Sequence, residues 1–311
     1  MSERLPPQVE QLIEERTAAR AERDFATADA LRDRIRSMGW EVVDLPEGST
    51  AHPALPEAEG EADYARAEDL ESLLEQPATV AASVHVLAEQ HGKDLERFLR
   101  GLSAHPPSVE WELVLVANAP TFGIGQLLES VSLPVQPTVL ASAERLGWAD
   151  ARNLGLRRSR GEVTVLVDTS IEPVGDFLTP LLAAFGDTSV GIAGAWGVVS
   201  ATGRSFEEAP PGEVDAIEGY CLAVRREVLT RAGLFDHHFR FYRNADLDFS
   251  FQARALGWRA VVVGELPLRR HEHRGYAALP PAERERLSKR NFYRFLKHWG
   301  DRRDLLLHPG R

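Results

Sequence analysis

The sequence predicts an α/β protein with a mostly parallel sheet and helices on both faces, preceded by a small helical hairpin. After Pro77, short runs rich in β-branched residues alternate with amphipathic segments of helical length, which is typical of right-handed βαβ units. Residues 7–39 are dense in Ala, Arg and Glu, with apolar positions three or four apart, as in helices. The chain between these regions is rich in proline and acidic residues, which indicates a linker.

The amino-terminal elements follow from local signals. Pro7 favours the start of a first helix, Asp24 can cap a second helix, and Gly39 favours its end. Residues 40–44 then predict a short strand that leads into a turn. A further helix is predicted over residues 64–75, where three leucines share one face.

The α/β domain is predicted from its alternating elements. Strands are predicted at residues 80–87, 111–116, 135–140, 163–167 and 190–195, and helices around residues 95–102, 149–156 and 177–185. Ligands of such sheets bind beyond the carboxyl ends of the strands. No Walker or dinucleotide glycine loop follows these strands, so we expect neither nicotinamide nor P-loop chemistry. The three predicted units are residues 1–44 (hairpin and strand), 45–78 (linker with a helix) and 79–311 (α/β domain).

The composition favours a globular protein and disfavours several classes of partner. Its 311 residues are 43% apolar and 27% charged, which is enough for a large core. There are 36 Lys and Arg against 47 Asp and Glu, and this net charge of −11 disfavours a nucleic-acid partner. The single cysteine, Cys221, excludes an intrachain disulfide and a multi-cysteine zinc site. No signal-peptide core or run of spanning length is present, so we expect a cytoplasmic protein without a transmembrane segment.

Three segments of the α/β domain carry a family resemblance. Residues 144–173 contain an Arg-Asn pair at a helix start and then an apolar strand that ends at Asp168. Residues 217–258 contain a Gly, a small-residue strand, a basic pair, a G-x-FD string and an acidic helix start, and residues 269–276 contain a late His-x-His. In order and spacing they resemble family-2 glycosyltransferases over about residues 79–299. The resemblance implies a GT-A fold and the inverting transfer of a sugar from a nucleoside-diphosphate sugar to a saccharide, lipid or protein acceptor.

The resemblance also implies a divalent metal, Mn²⁺ or Mg²⁺, against the leaving diphosphate. Asp168 takes the position of the family's DXD signature, and carboxylate oxygens suit such cations. His273, or alternatively His271, stands where the family places a late His near the metal. By local rules alone, Asp168 is a turn or cap residue and the two histidines belong to a solvated basic loop.

The donor-binding residues implied by the resemblance are Asn118, Arg152, Asn153, Asp168 and Ser170. Arg152 and Asn153 lie at a predicted helix start, where free backbone N–H groups and the positive dipole end favour phosphate. Asn118 ends the second strand, where family members contact the nucleotide base. For Arg152 and Asn153 the alternative is a helix cap with an exposed arginine.

The resemblance implies that Asp246 is the general base that deprotonates the acceptor. It matches the first aspartate of the family's ED-x-D string, and Asp248, which matches the second, would cap or brace the helix. Gly219 and Tyr220 would form the acceptor-side wall. The local alternatives are a helix N-cap for Asp246 and a tight turn for Gly219.

Several positions depart from the family. Asn118 is preceded by Ala117, where the family commonly has an aspartate that holds the base. Residues 168–170 (Asp-Thr-Ser) have lost the second DXD carboxylate, and Ala245 replaces the glutamate of ED-x-D. Hydroxyl groups are weak ligands of divalent metals. The scaffold is retained more fully than the chemistry, so the alternative function is a non-catalytic GT-A-like binding or scaffold protein.

Three remaining features have structural interpretations. Arg225 and Arg226 predict a solvated helix start, and His237 and His238 predict a surface turn. Cys221 predicts a small buried residue rather than a nucleophile.

The hairpin carries a second resemblance, to the extreme carboxyl-terminal region of cysteinyl-tRNA synthetases. The matching residues within 16–49 are Arg20, Asp24, Phe25, Ala28, Asp29, Leu31, Arg32, Asp33, Gly39, Asp44 and Gly48. The synthetases' zinc ligands and nucleotide-binding signatures are missing, so we do not expect aminoacylation. The segment predicts an interaction module for a protein partner, with tRNA binding as the alternative that the net charge disfavours.

Overall fold

The computed structural model describes residues 5–38, 40–45, 48–53, 67–142 and 144–310. Its helices are α1 (Pro7–Ala21), α2 (Phe25–Ser37), α3 (Gly92–Ala104), α4 (Ile124–Glu129), α5 (Trp148–Arg158), α6 (Leu178–Ala183), α7 (Arg226–Ala232), α8 (Ala245–Arg254), α9 (Arg274–Ala277) and α10 (Pro281–Trp299). Its strands are β1 (Trp40–Leu45), β2 (Gly48–Pro53), β3 (Val80–Ala88), β4 (Trp111–Asn118), β5 (Thr138–Ser142), β6 (Gly161–Val167), β7 (Ile171–Pro173), β8 (Val190–Gly194), β9 (Gly197–Val199), β10 (Glu207–Glu208), β11 (Gly212–Val214), β12 (Ala216–Ile217), β13 (Cys221–Arg225), β14 (Arg259–Val262) and β15 (Leu268–Arg270).

The eight-stranded central sheet has the order β11-β14-β8-β13-β6-β3-β4-β5. The pairs β14–β8, β6–β3, β3–β4 and β4–β5 are parallel, whereas β13 runs antiparallel to both of its neighbours and β11 runs antiparallel to β14. The mostly parallel sheet predicted from the sequence is therefore confirmed. The carboxyl ends of β3, β4 and β6 lie side by side at one edge, where a ligand is expected.

Helices cover both faces of this sheet because alternate strand residues point to opposite sides. On β4, Leu113 and Leu115 pack in a fully buried cluster with α3. Their neighbours Val114 and Val116 pack on the opposite face against α5. This strand is apolar on both sides, as expected for a parallel strand that is covered on both faces.

The predicted helical hairpin is confirmed. The side chain of Asp24 accepts hydrogen bonds from the Thr27 backbone N–H at 3.1 Å and from the Thr27 hydroxyl at 2.6 Å, which is the expected cap of α2. Val9 and Ile35 are fully buried between the two helices. Gly39, predicted to end α2, lies outside the described residues.

The prediction that the chain becomes a linker at residue 45 was wrong for residues 48–53, which form strand β2 and pair antiparallel with β1. The proline-rich composition of this segment led to the prediction of a linker instead of a strand. Pro53 lies at the very end of β2, where a proline interrupts no interior hydrogen bond of the ladder.

The predicted helix over residues 64–75 was also wrong in its described part, which contains only one 3₁₀ turn at Ala67–Asp69. Residues 64–66 lie outside the described residues. The backbone groups that a helix would pair internally are used by distant arginines instead. Arg157 Nε donates to the Leu70 carbonyl at 2.9 Å, and Arg226 donates to carbonyls further along the segment.

We expect residues 1–53 to be removable without unfolding the α/β domain. Among the described residues, the apolar cluster of the hairpin consists of its own side chains, including Val9, Ile35 and Ala51. Separate cores unfold separately, so deletion should shift the melting temperature of the domain by less than about 2 °C. Differential scanning calorimetry of the full chain and the deletion variant measures this. A substantially larger fall would show that the hairpin packs on the domain.

Candidate functional site

Two adjoining cavities lie beyond the carboxyl ends of the central strands. The β3 cavity, of about 300 Å³, is lined by the segment that follows β3, including Glu89 and His91. The α8 cavity, of about 340 Å³, is lined by Gly219, Tyr220 and Asp246. The residues that line both cavities are Trp148, Arg152, Asp168, Tyr242 and His273. Four predicted site residues on separate elements, Arg152, Asp168, His273 and Asp246, thus come together here.

Asp168 follows β6 directly and lies at the junction of the cavities. Its Oδ1 accepts hydrogen bonds from the backbone N–H and the hydroxyl of Ser170, at 2.8 and 2.5 Å. Its Oδ2 lies 3.4 Å from His273 Nε2. Burial raises the pKa of Asp168, but the contacts with His273 and Ser170 outweigh burial and lower that pKa to about 2. The carboxylate is therefore ionised at neutral pH.

Of the two histidines predicted near the metal, His273 is the one that lines the cavities. Its ring stacks on Tyr242, with centroids 4.5 Å apart, and its Nδ1 accepts the Tyr276 backbone N–H at 3.1 Å. The same N–H also bonds to the His273 carbonyl at 3.0 Å. In the neutral ring the contact with Nδ1 leaves the proton on Nε2, which faces Asp168. Burial lowers the pKa of His273, but the contacts with Asp168 outweigh burial and raise that pKa. His271 instead pairs with Glu172, Nε2 to Oε2 at 2.7 Å, and lines neither cavity.

The residues around Asp168 do not fit the divalent metal that the resemblance implies. A histidine ligand offers a bare ring nitrogen and normally donates through the other nitrogen, whereas the other nitrogen of His273 accepts. Ser170 holds one carboxylate oxygen of Asp168. Within the described ranges, the one close group of three or more ligand-type side chains is residues 236–238 (Asp-His-His), which line neither cavity.

Arg152 is a buried cation between the two cavities. Its side chain is 2% exposed, and its Nη atoms donate to the carbonyls of His85 and Val167 at 3.3 and 3.4 Å. Its Nε has no hydrogen-bond partner among the described residues. Burial lowers the pKa of Arg152 to about 10, so it stays protonated at neutral pH. It is not the exposed arginine of a simple helix cap.

Two predicted donor contacts have a bracing role instead. Asn153 bonds through its amide to the backbone N–H and C=O of Phe235 and lines neither cavity. Asn118 accepts the Leu146 N–H at 2.8 Å and donates to Glu89 Oε1 at 2.6 Å. Asn118 therefore holds Glu89 and Leu146, which line the β3 cavity, without lining the cavity itself. Sequence analysis missed Glu89, although it expects ligands beyond the carboxyl ends of the strands, where Glu89 lies.

Asp246 projects from the first turn of α8 into the α8 cavity. Its Oδ2 accepts the Gly219 N–H at 2.8 Å and its Oδ1 accepts the Leu247 N–H at 3.0 Å. The N-cap position of α8 is Asn244, whose side chain makes no capping hydrogen bond, so Asp246 is not the N-cap. Burial raises the pKa of Asp246, and the two N–H bonds only partly offset this effect.

A second carboxyl group, missed by sequence analysis, lines the same cavity. Burial raises the pKa of Glu218, and the nearby charge of Asp246 raises it further. Its Oε2 has no hydrogen-bond partner in the described part of the chain. No sequence motif marks Glu218 beyond its position before Gly219.

Of the other residues predicted on the acceptor side, Tyr220 lines the α8 cavity and Asp248 does not. The Arg270 guanidinium lies 5.1 Å from the ring centre of Tyr220. Asp248 lines neither cavity. Its Oδ1 bonds to His298 Nδ1 and to the indole N–H of Trp299, both at 2.9 Å, so it braces α8 against α10.

The predicted helix start at Arg225 and Arg226 is confirmed, because α7 begins at Arg226, but the prediction that both side chains are solvated was wrong. Arg225 donates to carbonyls near the start of β8, and Arg226 ties the segment before β3 to the amino end of β6. These two side chains do not extend into solvent because they donate to backbone carbonyls that would otherwise have no hydrogen-bond donor. Cys221 is fully buried, and burial raises its pKa to about 12, so its thiol is not nucleophilic.

Comparison with known proteins identifies the family. The family "Glycosyl transferase family 2" matches residues 83–249, more than half of the chain, so the protein belongs to this family. Residues 2–46 match the "Cysteinyl-tRNA ligase anticodon binding domain". There the chain is 52% identical over 46 residues to the cysteine–tRNA ligase of Streptococcus thermophilus (strain CNRZ 1066), which covers 15% of this chain and 10% of the ligase. The chain thus spans about a tenth of the length of such relatives.

Solved structures share the fold of the α/β domain. A crystal structure of GalNAc-T7 with UDP, GalNAc and Mn²⁺ matches with a TM-score of 0.59 and 17% identity, over 72% of this chain and 49% of that chain. The mannosyltransferase PcManGT from Pyrobaculum calidifontis, in complex with GDP-Man and Mn²⁺, matches with a TM-score of 0.50 and 19% identity, over 74% and 77% of the two chains. These likenesses establish a GT-A fold. Over the described ranges, none of the helices has the length and apolar character needed to cross a membrane.

Proposed function

We propose that the protein transfers a sugar from a nucleoside-diphosphate sugar to an acceptor, with inversion at the anomeric carbon. The observation that carries this proposal is the shared wall between the cavities, where Asp168 and Arg152 line both and Asp246 lines the α8 cavity alone. A donor in the β3 cavity would present its sugar across this wall. The two solved structures bind nucleotides, UDP and GDP-Man, on the same fold, which supports this class of donor.

The α8 cavity suits the acceptor because it holds a carboxylate that is fixed in orientation. Two backbone N–H groups hold Asp246, from Gly219 and Leu247, which leaves the carboxylate lone pairs on the cavity side for a hydroxyl. In the proposed step, the acceptor hydroxyl gives its proton to Asp246 while its oxygen bonds to the anomeric carbon. The bond from that carbon to the diphosphate oxygen breaks, and the diphosphate leaves with the electron pair.

Titration calorimetry with UDP-, GDP- and dTDP-sugars tests the donor class, followed by a transfer assay against saccharide, lipid and protein acceptors. We expect one nucleotide class to bind and to be turned over. Nucleotide binding without transfer across the whole panel would favour the alternative, a non-catalytic binding or scaffold protein. The missing carboxylates at Ala117, Ser170 and Ala245 are the observation that favours this alternative.

The pH dependence of transfer should report the environment of Asp246. Because burial raises the pKa of Asp246 above the ordinary 3.8, and because a base must be ionised, kcat/KM should fall as the pH drops through this raised pKa. Replacing Glu218 by Gln removes a neighbouring negative charge, so it should move the acid limb to lower pH. A profile of kcat/KM against pH measures both effects. An acid limb that persists unchanged in Asp246→Asn would assign the titration to another group.

The hairpin has a separate proposed role as a docking module for a protein partner. Its likeness to the cysteine–tRNA ligases covers only the anticodon binding domain. The net charge of −11 disfavours tRNA as its ligand. Electrophoretic mobility shifts with tRNA, run with the full chain and the 1–53 deletion, test this alternative, because binding that depends on residues 1–53 would contradict the protein-partner proposal.

A further inference from the structure

Resting on the proposed transfer, we infer that the leaving diphosphate is stabilised without a divalent metal, by the buried Arg152 guanidinium together with Arg240 and Arg274. The two solved relatives carry Mn²⁺ beside their nucleotides. The residues around Asp168 and the arginines of the β3 cavity carry the argument for this chain.

Within the described ranges Arg152 makes no direct ion pair, although the charges of Asp168 and Glu89 act on it. Its guanidinium lies 5.5 Å from the Trp148 ring centre. Arg152 is 2% exposed, yet its hydrogen bonds go to two neutral carbonyls at 3.3 and 3.4 Å, and its Nε is unpartnered among the described residues. Removing a charge from water without a direct ion partner is costly. A phosphate in either cavity would supply that partner, and the planar guanidinium matches phosphate geometry.

Two further arginines extend the positive charge over the β3 cavity. Arg240 lines it and makes no ion pair within the described ranges. Arg274 lies 2.6 Å from Asp94 Oδ1, but the same oxygen also contacts Arg97 at 2.9 Å, so one carboxylate faces two guanidinium groups. The lining also holds Arg145, which lies 3.6 Å from Glu89. The cavity thus has four arginines against the carboxylates of Glu89, Asp94 and Asp168. This small excess of positive charge suits a polyanion such as a diphosphate.

Asp168 is held by two hydrogen bonds from Ser170 and by an ion-pair contact with His273 at 3.4 Å, and these described residues do not form a metal-binding cluster. Oδ1 is saturated by Ser170, and His273 turns its protonated Nε2 towards Oδ2. A metal here would have to displace that proton and would meet a single protein carboxylate. We infer that Asp168 holds His273 in place at the junction of the two cavities, while the arginines provide the positive charge that the diphosphate needs.

Calorimetric titration with UDP, GDP and dTDP, in excess EDTA and in MnCl₂, tests this inference directly. The Kd of the nucleotide that binds should be the same within about threefold in the two conditions, and Arg152→Met should raise it by about tenfold or more. Asp168→Asn should leave the Kd unchanged or lower it, because a negative charge near the phosphates is removed while the amide oxygen can still accept from Ser170. Arg231→Met, on the exposed face of α7, is the matched control and should leave the Kd unchanged.

The opposite pattern would overturn the inference. A metal site predicts binding in MnCl₂ that EDTA abolishes and that Asp168→Asn weakens, with the proposed transferase function left standing. Absence of binding for all three nucleotides under both conditions would overturn the proposed function and this inference together. If circular dichroism shows that Arg152→Met is unfolded, Arg240→Met decides, since its side chain is exposed. Arg240→Met should raise the Kd of the nucleotide in EDTA by about threefold or more. An unchanged Kd would contradict the inference that the arginines bind the diphosphate.

Discussion

Replacing Asp246 by Asn is expected to reduce sugar transfer by about 10² to 10⁴ while donor affinity is retained. The amide keeps the volume of the side chain, and its oxygen can still accept the Gly219 N–H that holds Asp246 at 2.8 Å. The substitution removes only the charge that takes the acceptor proton. Turnover with the identified donor and acceptor gives the loss in rate, and calorimetric titration with the donor shows whether binding survives.

Asp248→Asn is the matched control, since it makes the same chemical change two residues later in α8. Asp248 lies outside both cavities and binds His298 and Trp299. Its substitution should lower the melting temperature, because the charged acceptor of two hydrogen bonds is lost, and it should leave kcat within a few-fold of wild type. Full activity in both variants would remove Asp246 from the mechanism.

The sequence predicts the longer central strands and the helices that cover them, because these elements carry their own periodic signal, but it does not predict short elements such as α4, β7 and β9. β4 is apolar from Leu113 to Ala117, and the hairpin shows helical spacing and an Asp24 cap that the structure confirms. The exceptions are segments whose backbone is satisfied from elsewhere. Strand β2 depends on pairing with β1, and residues 70–76 depend on arginine donors that lie far away in the sequence.

The candidate site was predictable only in part, for a related reason. Asp168 follows an apolar strand and Asp246 lies in an acidic helix start, features that are visible in the sequence, and both residues line the cavities. The role of Asn153 depends on Phe235, 82 residues away, and that of Asn118 depends on Leu146. Side-chain partners at such separations are set by the assembled sheet, so local spacing does not distinguish a ligand contact from a brace.

The second large expected effect is on stability. Arg226→Met should lower the free energy of unfolding of the α/β domain by about 2 to 4 kcal/mol, and its melting temperature by roughly 5 to 10 °C. One guanidinium satisfies backbone carbonyls on two separate parts of the chain, and methionine keeps the apolar stem but leaves these carbonyls without a donor. The carbonyls belong to Leu73, Leu74, Gln76, Ser159 and Gly161.

Lysine at the same position separates charge from geometry. Arg226→Lys keeps the positive charge, yet an ammonium cannot reach both the segment at residues 73–76 and the start of β6 as the guanidinium fork does, so most of the loss should remain. Arg231→Met is the control on the same helix. Arg231 pairs with exposed Glu227 and lies 6.0 Å from the Trp258 ring centre, and the loss of these exposed contacts should cost about 1 kcal/mol or less. Equal melting temperatures for all three variants would show that the segment before β3 is held by its buried leucines alone, and that the arginine bonds contribute nothing measurable.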